Sequence, residues 1–134
     1  MKTILLLEDN PVVRESVVAF LLCKGEYFVL EAGDRAEAVE RCQRQSGDID
    51  LLIADVIVGV QSGRDIANEL MTLCPALRLL FISGYPPERL VANGKLQSGD
   101  VCLQKPFTPN ELLQRIAEIL NQPVPRWASG GENG

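Results

Sequence analysis

Five short apolar runs recur along the chain: Ile4–Leu7, Tyr27–Ala32, Leu51–Ala54, Leu77–Ile82 and Val101–Leu103. Most are continuous rather than alternating, the pattern of parallel strands covered on both faces. The intervening segments are too long for hairpins and suit crossover helices. The expected fold is therefore α/β: a doubly wound (βα)5 unit with a five-stranded parallel sheet. Five units in so short a chain suit the flavodoxin-like strand order 2-1-3-4-5, whose switch point lies between strands 1 and 3.

Helix starts are signposted. Asn10-Pro11 places a cap residue before a proline at the first helical position, and Val13, Val17, Phe20 and Leu21 follow with helical spacing up to Gly25. Asp34 with Glu37, and Ser62 with Asp65, have capping-box spacing. Thr108-Pro109-Asn110-Glu111 combines both signals ahead of an apolar face of Leu112, Leu113, Ile116, Ile119 and Leu120. A short fourth helix is expected within residues 88–93, between Pro86-Pro87 and Gly94. Residues 1–121 make one domain. Residues 122–134, rich in Gly, Pro and polar groups, read as a flexible C-terminal tail carrying Trp127.

In a parallel sheet the strand ends share one edge. Glu8-Asp9 closes the first run, Asp55 the third and Ser83-Gly84 the fourth, and Lys105-Pro106 follows the fifth. Three carboxylates, a hydroxyl and an ammonium thus converge at the switch point, where ligands bind in such folds. Two like charges at 4 Å repel by about 4 kcal/mol at an effective dielectric of 20, so such a cluster takes up protons or holds a cation. The donors are hard oxygens, which favours Mg²⁺, with Asp9 and Asp55 as direct ligands and Glu8 acting through water. An Asp can carry an aspartyl phosphate. Mg²⁺ and Lys105 would neutralise the phosphoryl oxygens, while the Ser83 hydroxyl and the Gly84 N–H donate to them.

Composition narrows the chemistry further. The chain has no histidine, so it contains neither a His-ligated metal site nor a phosphohistidine of its own. Its net charge of -5 argues against a direct nucleic-acid surface. Cys23, Cys42, Cys74 and Cys102 match no zinc spacing and read as thiols of a reducing cytoplasm. No run approaches transmembrane length, so no membrane partner is expected.

The motifs L-L-E-D-N, I-A-D-V with Gly63 eight residues after Asp55, F-I-S-G-Y and L-Q-K-P-F-T-P-N-E-L together resemble the receiver domain of two-component response regulators over about residues 3–121. The resemblance implies that Asp55 is the phosphoacceptor, Glu8 and Asp9 the acidic pair, Ser83 the switch hydroxyl and Lys105 the phosphate-sensing lysine. It implies that the Ile57 backbone carbonyl is a further Mg²⁺ ligand and that the Lys105–Pro106 peptide is cis. The phosphoryl donor would be a sensor histidine kinase or a histidine phosphotransfer protein. The output would pass through the face of helix 4, strand 5 and helix 5 to a downstream effector or a homodimer. Such a chain catalyses its own phosphorylation and dephosphorylation and is not an enzyme in the turnover sense.

Two positions depart from the family pattern. Cys102 stands where an aromatic switch residue is common, which makes Tyr85 a candidate substitute. Gly59 stands where proline is usual, and is expected to loosen an unusually apolar loop, Val56-Ile57-Val58-Gly59-Val60, with a partner surface as its candidate role. Ile57 and Tyr85 are expected to flank the line along which water attacks the phosphoryl group. The competing reading is a receiver-like docking module not controlled by phosphorylation. A haloacid dehalogenase-type phosphatase is disfavoured because Ile57 occupies the acid/base position, and an FMN site because Glu8-Asp9 would repel phosphate.

Overall fold

The computed structural model describes residues 1–121 apart from Lys24; the tail and Trp127 lie outside the described residues. The elements run β1 (Lys2–Leu7), α1 (Pro11–Leu22), β2 (Tyr27–Ala32), α2 (Arg35–Arg44), β3 (Leu51–Asp55), β4 (Ile57–Val58), β5 (Gln61–Ser62), α3 (Gly63–Leu73), β6 (Arg78–Ser83), α4 (Pro87–Ala92), β7 (Cys102–Gln104) and α5 (Pro109–Leu120). The main sheet is parallel with order β2-β1-β3-β6-β7. Counting its five strands alone, this is the expected 2-1-3-4-5 order.

Alternate side chains feed two apolar layers. Leu5, Leu7, Leu52, Ala54 and Phe81 pack with α2, α3 and α4 on one face. Ile4, Leu6, Leu51, Ile53, Leu80 and Ile82 pack with Val17 and Leu21 of α1 and Leu112, Ile116 and Ile119 of α5 on the other. Burying each such side chain stabilises the fold by about 2 kcal/mol, which is why the strands read as continuous apolar runs. Phe20 and Phe107 meet edge to face across the α1–α5 seam, with centroids 6.4 Å apart.

The caps form as their chemistry requires. The Asn10 side chain accepts from the N–H groups of Val12 and Val13. Thr108 and Glu111 close a reciprocal capping box. At α2 only half of that motif forms: Asp34 accepts from the Glu37 N–H, while the Glu37 carboxylate reaches back to the N–H of Gly33 instead. The fourth helix starts at Pro87, one residue earlier than expected, and ends at Ala92. All four cysteines are free thiols; Cys23 is exposed and the other three are buried.

The main departure from expectation is the segment after Asp55. Ile57 pairs with Ser62 and Val58 with Gln61, forming a two-stranded antiparallel hairpin whose turn is Gly59-Val60. Gly59 has φ +64, the left-handed conformation that a two-residue hairpin turn demands. It therefore builds an ordered turn rather than loosening a loop. The apolar character of the segment divides in two: Val56 and Val58 belong to the core, whereas Ile57 and Val60 face solvent.

Candidate phosphoacceptor site

Sheet register assembles the site. Leu7 lies beside Ala54, Asp55 beside Ile82 and Ser83 beside Gln104. Glu8, Asp55, Ser83 and Lys105 therefore leave their strands at nearly one level. Three backbone bonds extend the pairing into the loops: Glu8 N–H to the Ala32 carbonyl, Val56 N–H to the Ile82 carbonyl, and Lys105 N–H to the Ser83 carbonyl. The Lys105–Pro106 peptide is cis.

The Lys105 ammonium lies 2.9 Å from Asp55 Oδ2 and 3.9 Å from Glu8 Oε1. Asp55 Oδ1 accepts from the Ile57 N–H. Asp9 is exposed, and its Oδ2 accepts from the Gly59 N–H across the hairpin turn. Glu8 is buried. Its Oε2 accepts from the Asn10 N–H, but its Oε1 has no hydrogen-bond partner. Burial raises the Glu8 carboxyl to about pH 7, opposed by the Asn10 hydrogen bond and reinforced by the negative charge of Asp55. Ser83 is also buried, and its Oγ accepts from the Tyr85 N–H at 3.1 Å.

A buried carboxylate oxygen that accepts no hydrogen bond, beside two further carboxylates, fits a hard cation. Among the described residues, no three acidic or cysteine side chains are grouped closely enough to hold a metal ion by themselves. Asp9 and Asp55 are engaged by protein donors instead. That arrangement still suits Mg²⁺, which usually takes only one or two carboxylates and keeps several waters.

Beside Asp55 opens a cleft of about 420 Å³, to which Asp55, Ile57, Ser83, Gly84 and Tyr85 contribute from the strand ends and Arg89 and Lys95 from the α4 side. The sequence-expected residues thus come together, although Asp9 is turned toward the hairpin. What sequence reasoning missed is the hairpin and the work of Gly63. A Cβ at Gly63 would lie 2.0 Å from the Asp55 carbonyl oxygen, and its N–H donates to the Val56 carbonyl at 2.7 Å. Glycine at 63 lets α3 begin against the backbone of Asp55. The signal for the hairpin was present, since glycine between two apolar residues marks the first position of a tight turn.

This fold and this acidic edge define a receiver-type signalling module. The family model of the response regulator receiver domain matches residues 4–117, and the chain belongs to that family. It is 31% identical over 120 residues to the sensor kinase CckA of Brucella abortus, covering 90% of this chain but only 13% of that kinase. It is 30% identical to the response regulator receiver protein CpdR of the same organism, covering 90% of this chain and 98% of CpdR. Among solved structures, the receiver domain of the sensor histidine kinase PA1611 from Pseudomonas aeruginosa, with a magnesium ion coordinated in its active-site cleft, superposes with a TM-score of 0.76 at 26% identity, over 90% of this chain and 98% of that one. Among the described residues, no helix is long and apolar enough to cross a membrane.

Proposed function

We propose that Asp55 accepts a phosphoryl group from a phosphohistidine on a sensor histidine kinase or phosphotransfer protein, in a Mg²⁺-dependent reaction in the cytoplasm. The observation that carries this reading is the Asp55–Lys105 pair beside the buried Glu8 Oε1, which accepts no hydrogen bond. An Asp55 carboxylate oxygen attacks phosphorus as the bond from phosphorus to the imidazole nitrogen breaks, and the imidazole departs neutral. Lys105, 2.9 Å from Asp55 Oδ2, and the Gly84 N–H stabilise the phosphoryl oxygens. Mg²⁺, held by Asp9, Asp55 and the Ile57 carbonyl with Glu8 acting through water, would supply the remaining charge neutralisation.

The Ser83 hydroxyl then turns toward the new phosphoryl oxygens and releases the Tyr85 N–H. This biases the α4–β7–α5 face toward a second arrangement, offered to an effector or a second copy of the chain. The phosphoryl group stays on the protein, so the chain acts as a switch rather than a turnover enzyme. The test is intact mass after incubation with Mg²⁺ and acetyl phosphate. A single phosphoryl adduct that requires Mg²⁺ and disappears in Asp55→Asn is expected; an adduct that persists in Asp55→Asn overturns the assignment of Asp55.

A further inference from the structure

The cleft beside Asp55 is chemically two-sided. Asp55, which pairs with Lys105, lines it from the strand ends, and Arg89 and Lys95 line it from the α4 side. Most arginines of the described chain are paired with carboxylates, as Arg14 is with Glu31, Arg35 with Glu69 and Arg64 with Asp100. No such ion pair engages Arg89 or Lys95 among the described residues. The Arg89 guanidinium instead sits 5.9 Å from the centre of the Tyr85 ring, over another residue that lines the cleft. Two cations without carboxylate partners, bordering a cleft whose other side holds the phosphoacceptor, form a receptor for negative charge.

We infer that Arg89 and Lys95 recognise the departing acyl group of a small acyl phosphate, so that beside the phosphohistidine this cleft also takes donors whose leaving group is an anion. The assignment rests on the phosphoacceptor reading of Asp55. In the reaction, an Asp55 oxygen bonds to phosphorus while the bond from phosphorus to the acyl oxygen breaks. The electron pair stays on that oxygen, and the acyl group leaves as a carboxylate with no proton taken up. Negative charge develops on the side of phosphorus away from Asp55, where the two cations stabilise it. A donor with a phosphorus–nitrogen bond releases a neutral amine or imidazole and gains nothing from them. The basic wall therefore separates small-molecule input from phosphohistidine input at the level of the leaving group.

The test compares acetyl phosphate with phosphoramidate, followed by intact mass over time at fixed Mg²⁺, in the full chain and in the double variant Arg89→Gln/Lys95→Gln. The acetyl phosphate rate is expected to fall about fivefold, the effect of unit charges several ångströms away in a solvated cleft. The phosphoramidate rate stays within about twofold, and the difference between donors shrinks at high salt. The charge-preserving variant Arg89→Lys/Lys95→Arg restores the acetyl phosphate rate, which separates charge from packing. Equal loss with both donors, or no loss with either, overturns the role of the basic wall and leaves Asp55 phosphorylation standing. A wild-type chain that neither donor labels overturns the phosphoacceptor reading and this assignment with it.

Discussion

Lys105 Nζ stands between two carboxylates, 2.9 Å from Asp55 Oδ2 and 3.9 Å from Glu8 Oε1, so one ammonium offsets charge on both. In Lys105→Met the carboxylates lose this counter-charge and the local field becomes more negative. Mg²⁺ is expected to bind about fivefold more tightly by calorimetric titration, from the removal of one nearby positive charge. Phosphorylation slows in the same variant, because the stabilising charge is gone from the reacting oxygens. Unchanged Mg²⁺ affinity would show that Lys105 lies outside the field of the cation site.

Gly63→Ala places a methyl group 2.0 Å from the Asp55 carbonyl oxygen, so the end of β3 or the start of α3 must shift. The expected loss is about 3 kcal/mol in urea denaturation, with slower phosphorylation because Asp55 moves. Gly59→Ala has free space around its Cβ but carries a positive φ, and loses only about 1 kcal/mol.

Glu8 makes stability depend on pH. Its folded carboxyl titrates near pH 7 against an ordinary 4.5, so the folded state holds the proton that the unfolded chain has released between those values. Stability without Mg²⁺ therefore falls as pH rises from 4.5 to about 7 and levels off above it. Glu8→Gln is expected to remove about 2 kcal/mol of this dependence, read from urea midpoints at pH 5 and pH 8. An equal pH dependence in the variant would place its origin in another group.

Ile57 and Tyr85 are both partly exposed and both border the cleft, Ile57 on the hairpin side and Tyr85 next to Ser83. They are expected to obstruct water on its way to a phosphoryl group on Asp55. The Ile57→Asn/Tyr85→Ala variant is expected to lose its phosphoryl group several-fold faster than the wild type, about fivefold for a barrier change near 1 kcal/mol. Decay of purified phosphoprotein measures this, and equal decay rates would remove the two side chains from any protective role.

Much of the fold was legible because it depends on local chemistry. Pro11 and Pro109 fix helix starts, Asn10 and Thr108 supply caps, and continuous apolar runs such as Leu51–Ala54 follow from burial on both faces. The hairpin after Asp55 was not, because its strands are two residues long and give periodicity no room to show. Glu8, Asp55, Ser83 and Lys105 were found together because strand ends in a parallel sheet share an edge. Arg89 and Lys95 were not, since neither closes a strand and their place at the cleft depends on how α4 packs.

The sequence by itself determined the alternation of strand and helix, the acidic residues at the strand ends and the absence of imidazole, because these reside in residue type and spacing. Only the tertiary structure decided how charge is shared among them. It put Lys105 against Asp55, left Glu8 Oε1 buried without a donor, turned Asp9 toward Gly59 and brought Gly63 onto the Asp55 carbonyl. Those outcomes depend on desolvation and on distances of a few ångströms between distant parts of the chain, which are set when the layers pack.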